Sequence, residues 1–166
     1  MADLSRRAPI FNMQGLSFRE YLKLFHDKDV PLYSLEDILA QKAQIPDVRH
    51  PLPFFQNYLR RGYYPFSQDI NFEIIDNTSL AYLLGGNATD IGNIRETFFY
   101  NQMRVTTDVI SSRISDFEIN GKTFEVGGKK KGKKQISHAD EGYIVRDDIE
   151  LGNGNIIPLW AFGLTY

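Results

Sequence analysis

Residues 115–126 alternate between polar and apolar positions on either side of Asn120-Gly121, the strongest short-range signal for a two-residue hairpin turn of type I′. Such a turn fixes the register. It opposes Ile119 to Lys122, Glu118 to Thr123, Phe117 to Phe124 and Asp116 to Glu125. Side chains alternate along a strand, so Phe117, Ile119 and Phe124 share one face and Asp116, Glu118 and Glu125 the other. Elsewhere the pattern predicts helices first. Ser17-Phe18-Arg19-Glu20 is a capping box that opens a helix through about Phe25. Ser34-Leu35-Glu36-Asp37 opens another through about Lys42, and a third runs from Phe54 to Arg61, closed by Gly62.

After a polar interval at residues 67–71 the character changes. A strand is expected at residues 71–75, a short helix from Asn77 or Thr78 to Leu83, and a turn at Gly85-Gly86-Asn87. Asp90 caps a helix from Ile91 to about Arg104, with Ile94 and Phe98 on its apolar face. Strands follow at Asp108–Ile110, Ile114–Ile119, Lys122–Val126 and Tyr143–Arg146, then an apolar end at Ile156–Phe162. A helix followed by several strands predicts an α/β or α+β unit with helices packed on a sheet.

Directly opposed like charges, with Cβ atoms about 4.5–5.5 Å apart, are destabilising. The Asp116–Glu125 pair therefore calls for a compensating cation. A divalent ion would serve, and so would a lysine of the run that follows at Lys129. An acidic pair on adjacent strands beside a lysine is the pattern of a metal-dependent phosphodiesterase. Mg²⁺ takes one or two carboxylates, keeps several waters and stabilises a phosphoryl transition state. The alternative is a half-exposed hairpin with ordinary solvent-facing carboxylates.

The 166 residues carry a net charge of −2, 42% hydrophobic and 13% aromatic residues, which suffices for a packed core. The whole chain is thus no electrostatic nucleic-acid binder, and any such role is local. There are no cysteines, which excludes thiolate sites and suits a reducing cytoplasm, the expected compartment. His26, His50 and His138 have no metal-ligand spacing, and no apolar run approaches a membrane span. Residues 127–134 are the low-complexity segment. Lys129, Lys130, Lys131, Lys133 and Lys134 form the one basic cluster, either a phosphate-contacting loop for DNA or a solvated turn. The segment nearly spells a phosphate-binding loop. However, Lys134 stands where a Ser or Thr must hold the metal, and no helix is expected to follow.

Five stretches in this order resemble the C-terminal domain of a bacterial group of AAA-family ATP-binding proteins. They are Arg95-Glu96-Thr97-Phe98-Phe99-Tyr100-Asn101-Gln102, Ser115-Asp116-Phe117, Phe124-Glu125-Val126-Gly127-Gly128-Lys129, Asp147-Asp148-Ile149-Glu150, and Ile157-Pro158-Leu159-Trp160-Ala161-Phe162-Gly163. At the N-terminal end, Leu4-Ser5-Arg6-Arg7 and Gly15-Leu16-Ser17-Phe18-Arg19-Glu20-Tyr21-Leu22 resemble the exit from the ATPase domain. The resemblance implies a PD-(D/E)xK nuclease-like fold. The expected α/β architecture is a restriction-endonuclease-like mixed sheet with flanking helices at residues 71–166, preceded by a helical remnant at residues 1–66.

It also implies site residues. Glu96 matches the helix glutamate, Asp116 the strand aspartate and Glu125 the second acidic residue, with Asp116 and Glu125 as Mg²⁺ ligands. Asp116 and Glu125 are also the pair that the hairpin register opposes. The family pattern places a lysine two residues after the glutamate. That place is Gly127, and the first lysine is Lys129. Either a Gly-Gly bulge restores the reach of Lys129, or the site has lost its catalytic lysine. No Walker A motif is present, so ATP binding by this chain alone is not expected. Relatives carry a winged-helix-like segment between the equivalents of Tyr64-Pro65-Phe66 and Ile75-Asp76-Asn77, which the resemblance implies is deleted here. The resulting expectation is a nuclease-like, DNA-contacting module of an AAA-family ATPase with impaired catalysis. The alternatives are a protein-interaction module and an active Mg²⁺-dependent DNA nuclease.

Overall fold

The computed structural model describes residues 14–63, 90–132, 136–137 and 139–166. The strand expected at residues 71–75, the helix at residues 77–83, the turn at residues 85–87, the boundary at residues 67–71, Leu4–Arg7, Lys133, Lys134 and His138 lie outside these.

Helix α1 (Phe18–His26) opens on the expected capping box. Ser17 Oγ accepts the Glu20 N–H at 3.1 Å, and Glu20 Oε2 accepts the Ser17 N–H at 2.8 Å. Helix α2 (Leu35–Leu39) has the same device between Ser34 and Asp37, at 3.1 and 3.3 Å. It ends before Lys42 because Gln41 adopts a left-handed φ of 58°, which breaks the helical path. Helix α3 (Leu52–Arg61) starts two residues earlier than expected. Pro51 and Pro53 both fall at its N-terminal end, where the missing N–H groups have no helical partner to lose. Helix α4 (Ile91–Met103) is capped by Asp90, whose Oδ1 accepts the Gly92 N–H at 2.8 Å.

The described strands form a mixed, open sheet in the order β1 (Ile110–Ser111), β2 (Phe117–Ile119), β3 (Lys122–Gly127), β4 (Gly142–Arg146), β5 (Ile156–Pro158). The pairs β1–β2 and β2–β3 are antiparallel, and β3–β4 and β4–β5 are parallel. Asn120 (φ 51°) and Gly121 (φ 78°) are both left-handed, as a type I′ turn demands. The register follows: Ile119 faces Lys122, Glu118 faces Thr123 and Phe117 faces Phe124. Regular pairing of β2 begins at Phe117 rather than Ile114, because Ser112 N–H turns back onto the Asp116 carbonyl at 3.3 Å.

One face of the sheet carries Phe117, Phe124, Val126, Val145 and Ile157 against α4 and a buried 3-10 helix at Leu159–Leu164. Phe99 of α4 lies 5.3 Å from Phe117, 5.4 Å from Phe124 and 4.9 Å from Phe162, ring to ring. The aromatic packing continues through Phe98 to Phe55 (4.9 Å) and on to Phe18 (5.4 Å). Residues from both sides of the expected boundary therefore share one core. Gly163 lets the 3-10 helix close on α1, since a Cβ there would lie 2.5 Å from that of Phe18. Among the described residues, no helix is long and apolar enough to cross a membrane.

Candidate functional site

On the other face of β3, Glu125 is fully buried at the C-terminal half of the strand. It lies beside Ile144 in the parallel register. A buried ionised carboxylate is costly unless paired and hydrogen-bonded. Two groups meet it. The Ser115 hydroxyl donates to Oε2, and the Lys131 ammonium contacts Oε1. Oε1 has no further hydrogen bond among the described residues.

Lys131 reaches Glu125 by folding back over β3. Its N–H closes a turn on the Gly128 carbonyl at 2.9 Å, and Arg146 Nε donates to the Lys131 carbonyl at 2.9 Å. The side chain then passes over Gly127. A Cβ at that position would lie 2.6 Å from Lys131 Cδ and 2.8 Å from Cγ, so any larger residue displaces the lysine stem. Gly127 is itself part of β3, opposite Arg146.

Asp116 stands just before β2, where the hairpin register continued by one residue opposes it to Glu125. Its Oδ2 accepts the Val126 N–H at 2.7 Å. Burial raises the Asp116 pKa above its usual value, the Val126 hydrogen bond opposes this, and the Glu125 charge adds to it. Glu96 of α4 belongs to the same electrostatic cluster. Burial raises its pKa first and repulsion from Asp116 second, with Lys131 opposing. Burial alone would lower the Lys131 ammonium, but Glu125, then Asp116 and Glu96, outweigh it and raise its pKa. One ammonium thus pairs directly with Glu125 and is acted on electrostatically by Asp116 and Glu96.

The neighbouring Arg95 braces the rim. It donates to Asp147 Oδ2 at 3.0 Å and lies 3.5 Å from Asp148 Oδ2. It also packs against Gly128, where a Cβ would meet its guanidinium at 3.2 Å.

The structure therefore brings Glu96, Asp116 and Glu125 into one cluster with Lys131. Lys129 and Lys130 are exposed, and Lys129 makes no ion pair among the described residues. Sequence reasoning places Lys131 in the basic loop and misses Ser115. Gly127-Gly128 ahead of the run signals room for a returning side chain but does not say which lysine takes it. The phosphate-loop near-match has its first glycine inside a strand. Its Gly127 carbonyl is taken by the Asp147 N–H at 2.8 Å, and no helix lies at residues 128–132.

As placed, these carboxylates do not fit a Mg²⁺ ion. Its oxygen ligands would include Glu125 and Asp116. Both Glu125 oxygens are engaged by Ser115 and Lys131, and Asp116 Oδ2 holds a backbone N–H. Among the described residues no three acidic, His or Cys side chains are arranged to hold a metal ion. In comparisons with known proteins, no family model, no curated sequence and no solved structure matches this chain.

Proposed function

We propose that this chain is a nuclease-like, nucleic-acid-contacting module that does not cleave its ligand. The observation that carries this reading is the Lys131 ammonium seated on the buried Glu125, with Asp116 and Glu96 around it. The arrangement has the ingredients of a phosphodiesterase centre, but the positive charge is supplied from within. The antiparallel β1–β2–β3 meander followed by parallel β4, with Asp116 before β2, Glu125 on β3 and Glu96 on the packed helix, supports a restriction-endonuclease-like reading. With the resemblance to the C-terminal domain of AAA-family ATP-binding proteins, it suggests an accessory domain that binds rather than cuts. Exposed Lys129 and Lys130 would supply backbone phosphate contacts, which need charge and no base recognition.

Duplex and single-stranded DNA incubated with the purified chain and MgCl₂ or MnCl₂ should remain intact, while gel shifts at low salt should show weak binding. Cleavage that disappears in Asp116→Ala would establish the active-nuclease alternative instead. A protein partner is the second reading, favoured by β1, the edge strand among the described residues, where Ile110 is 50% exposed. Absence of any DNA binding at low salt would favour it.

A further inference from the structure

We propose that Lys131 is a tethered substitute for a divalent cation, and that Gly127 is the positioning residue that admits it. This inference rests on reading the acidic cluster as a remodelled nuclease-like centre. It makes no use of nucleic-acid binding.

Three observations bear on it. Glu125 is fully buried, and its Oε1 has Lys131 as its sole partner among the described residues. A carboxylate oxygen in that position demands a cation. The ammonium arrives from four residues beyond Gly127, not from the strand itself, and the route needs bare space over that residue. Its backbone is pinned for the purpose by the Gly128 turn and by Arg146. Finally, Asp116 stands opposite Glu125 by continuation of the hairpin register, with its Oδ2 on the Val126 N–H, so a second carboxylate lies beside the Lys131–Glu125 pair.

The consequence is mutual exclusion: Glu125 binds Lys131 or a divalent ion, not both. Removing the lysine side chain should uncover a cation site formed by Glu125 and Asp116. Disturbing its path at Gly127 should do so with every charge retained.

Mn²⁺ is the probe, and free Mn²⁺ is read by electron paramagnetic resonance on the full chain without nucleic acid. Wild type should retain no Mn²⁺ at this centre, and paramagnetic broadening should spare the Ser115 and Val126 amides. Lys131→Met should bind Mn²⁺ at least about tenfold more tightly than wild type, a difference of roughly 1.4 kcal/mol. Its melting temperature should fall without metal and recover with MnCl₂. Gly127→Ala should gain Mn²⁺ affinity in the same direction, and Glu125→Gln added to Lys131→Met should abolish the gain. Broadening centred on Val126 in the wild type would overturn the proposal without recourse to any variant. So would a folded Lys131→Met or Gly127→Ala chain that gains no Mn²⁺ affinity. Failure of DNA binding leaves these readouts untouched, so the two proposals fail separately.

Discussion

The Asp116 carboxylate accepts the Val126 backbone N–H at 2.7 Å, so a side chain takes over the hydrogen bonding just beyond the regular β2–β3 ladder. An orphaned N–H in a buried strand costs about 1–3 kcal/mol. Asp116→Ala is expected to be less stable than Asp116→Asn by about that amount in urea denaturation, because both remove the charge but only Ala leaves the buried Val126 N–H without its acceptor. Asp116→Asn keeps an acceptor and should avoid that loss.

Asp116→Asn also reports on charge. The folded-state pKa of Asp116 lies above its usual value, burial being the largest cause. The folded chain therefore binds the proton more tightly than the unfolded one, and this contribution to stability grows as pH falls through the folded pKa. At pH 7 the ionised group opposes folding. Asp116→Asn should then be more stable than wild type at pH 7, with the advantage shrinking to nothing below the unfolded carboxylate pKa. An advantage that persists or grows in acid would show that the cluster is not repulsive at Asp116.

Lys131 and Glu125 should be strongly coupled. Breaking a buried ion pair by removing one partner leaves an uncompensated charge. With the Lys131 side chain 31% exposed, Lys131→Met should cost about 2–4 kcal/mol. Glu125→Gln in the same chain should recover most of that loss, and additive effects in the double-mutant cycle would exclude the coupling. The Lys131 pKa is raised, so its stabilisation is complete below the unfolded value near 10.5 and is lost as pH rises through the folded value. The gap between wild type and Lys131→Met should therefore narrow in strong alkali.

What is legible in the sequence is local. Asn120-Gly121 specifies two left-handed residues, and these alone set the pairing of Phe117 with Phe124. Ser17 and Ser34 announce their helices because both halves of a capping box lie within four residues. The end of α2 at Leu39 is not legible, because left-handed Gln41 is held by a distant partner, its Nε2 donating to the Gly154 carbonyl at 2.9 Å. Lys131 is hidden for the same reason. Nothing in a run of identical lysines distinguishes the one that turns inward. Its selection depends on the Gly128 turn, on Arg146 and on the space over Gly127.

Phe99 joins sheet and helices, being fully buried between Phe117, Phe124 and Phe162. Phe99→Ala should cost about 3–5 kcal/mol by calorimetric unfolding, the usual range for deleting a buried aromatic ring. Since Phe55, Phe98 and Phe18 continue the same packing, the loss should appear as one cooperative transition for α1, α3 and the sheet together. Two separate transitions would show that the N-terminal helices fold independently.

The lysine loop makes the most specific prediction about binding. Each phosphate neutralised on duplex DNA contributes about 0.9 to the slope of log affinity against log salt. Lys131 is committed to Glu125, whereas Lys129 and Lys130 are exposed. The loop lysines are therefore not equivalent. Replacing Lys129 and Lys130 by Ser should weaken DNA binding and reduce the slope by about 0.9 for each phosphate that is no longer neutralised. Lys131→Met should leave the slope unchanged although it removes the same formal charge. Stability should respond in the opposite order, with little effect from Lys129→Ser and Lys130→Ser and a large one from Lys131→Met. Fluorescence anisotropy of a labelled duplex between low and moderate salt measures the slope for each variant. An equal fall in slope for Lys131→Met would mean that this lysine leaves Glu125 to meet phosphate, and that the acidic cluster opens when DNA binds.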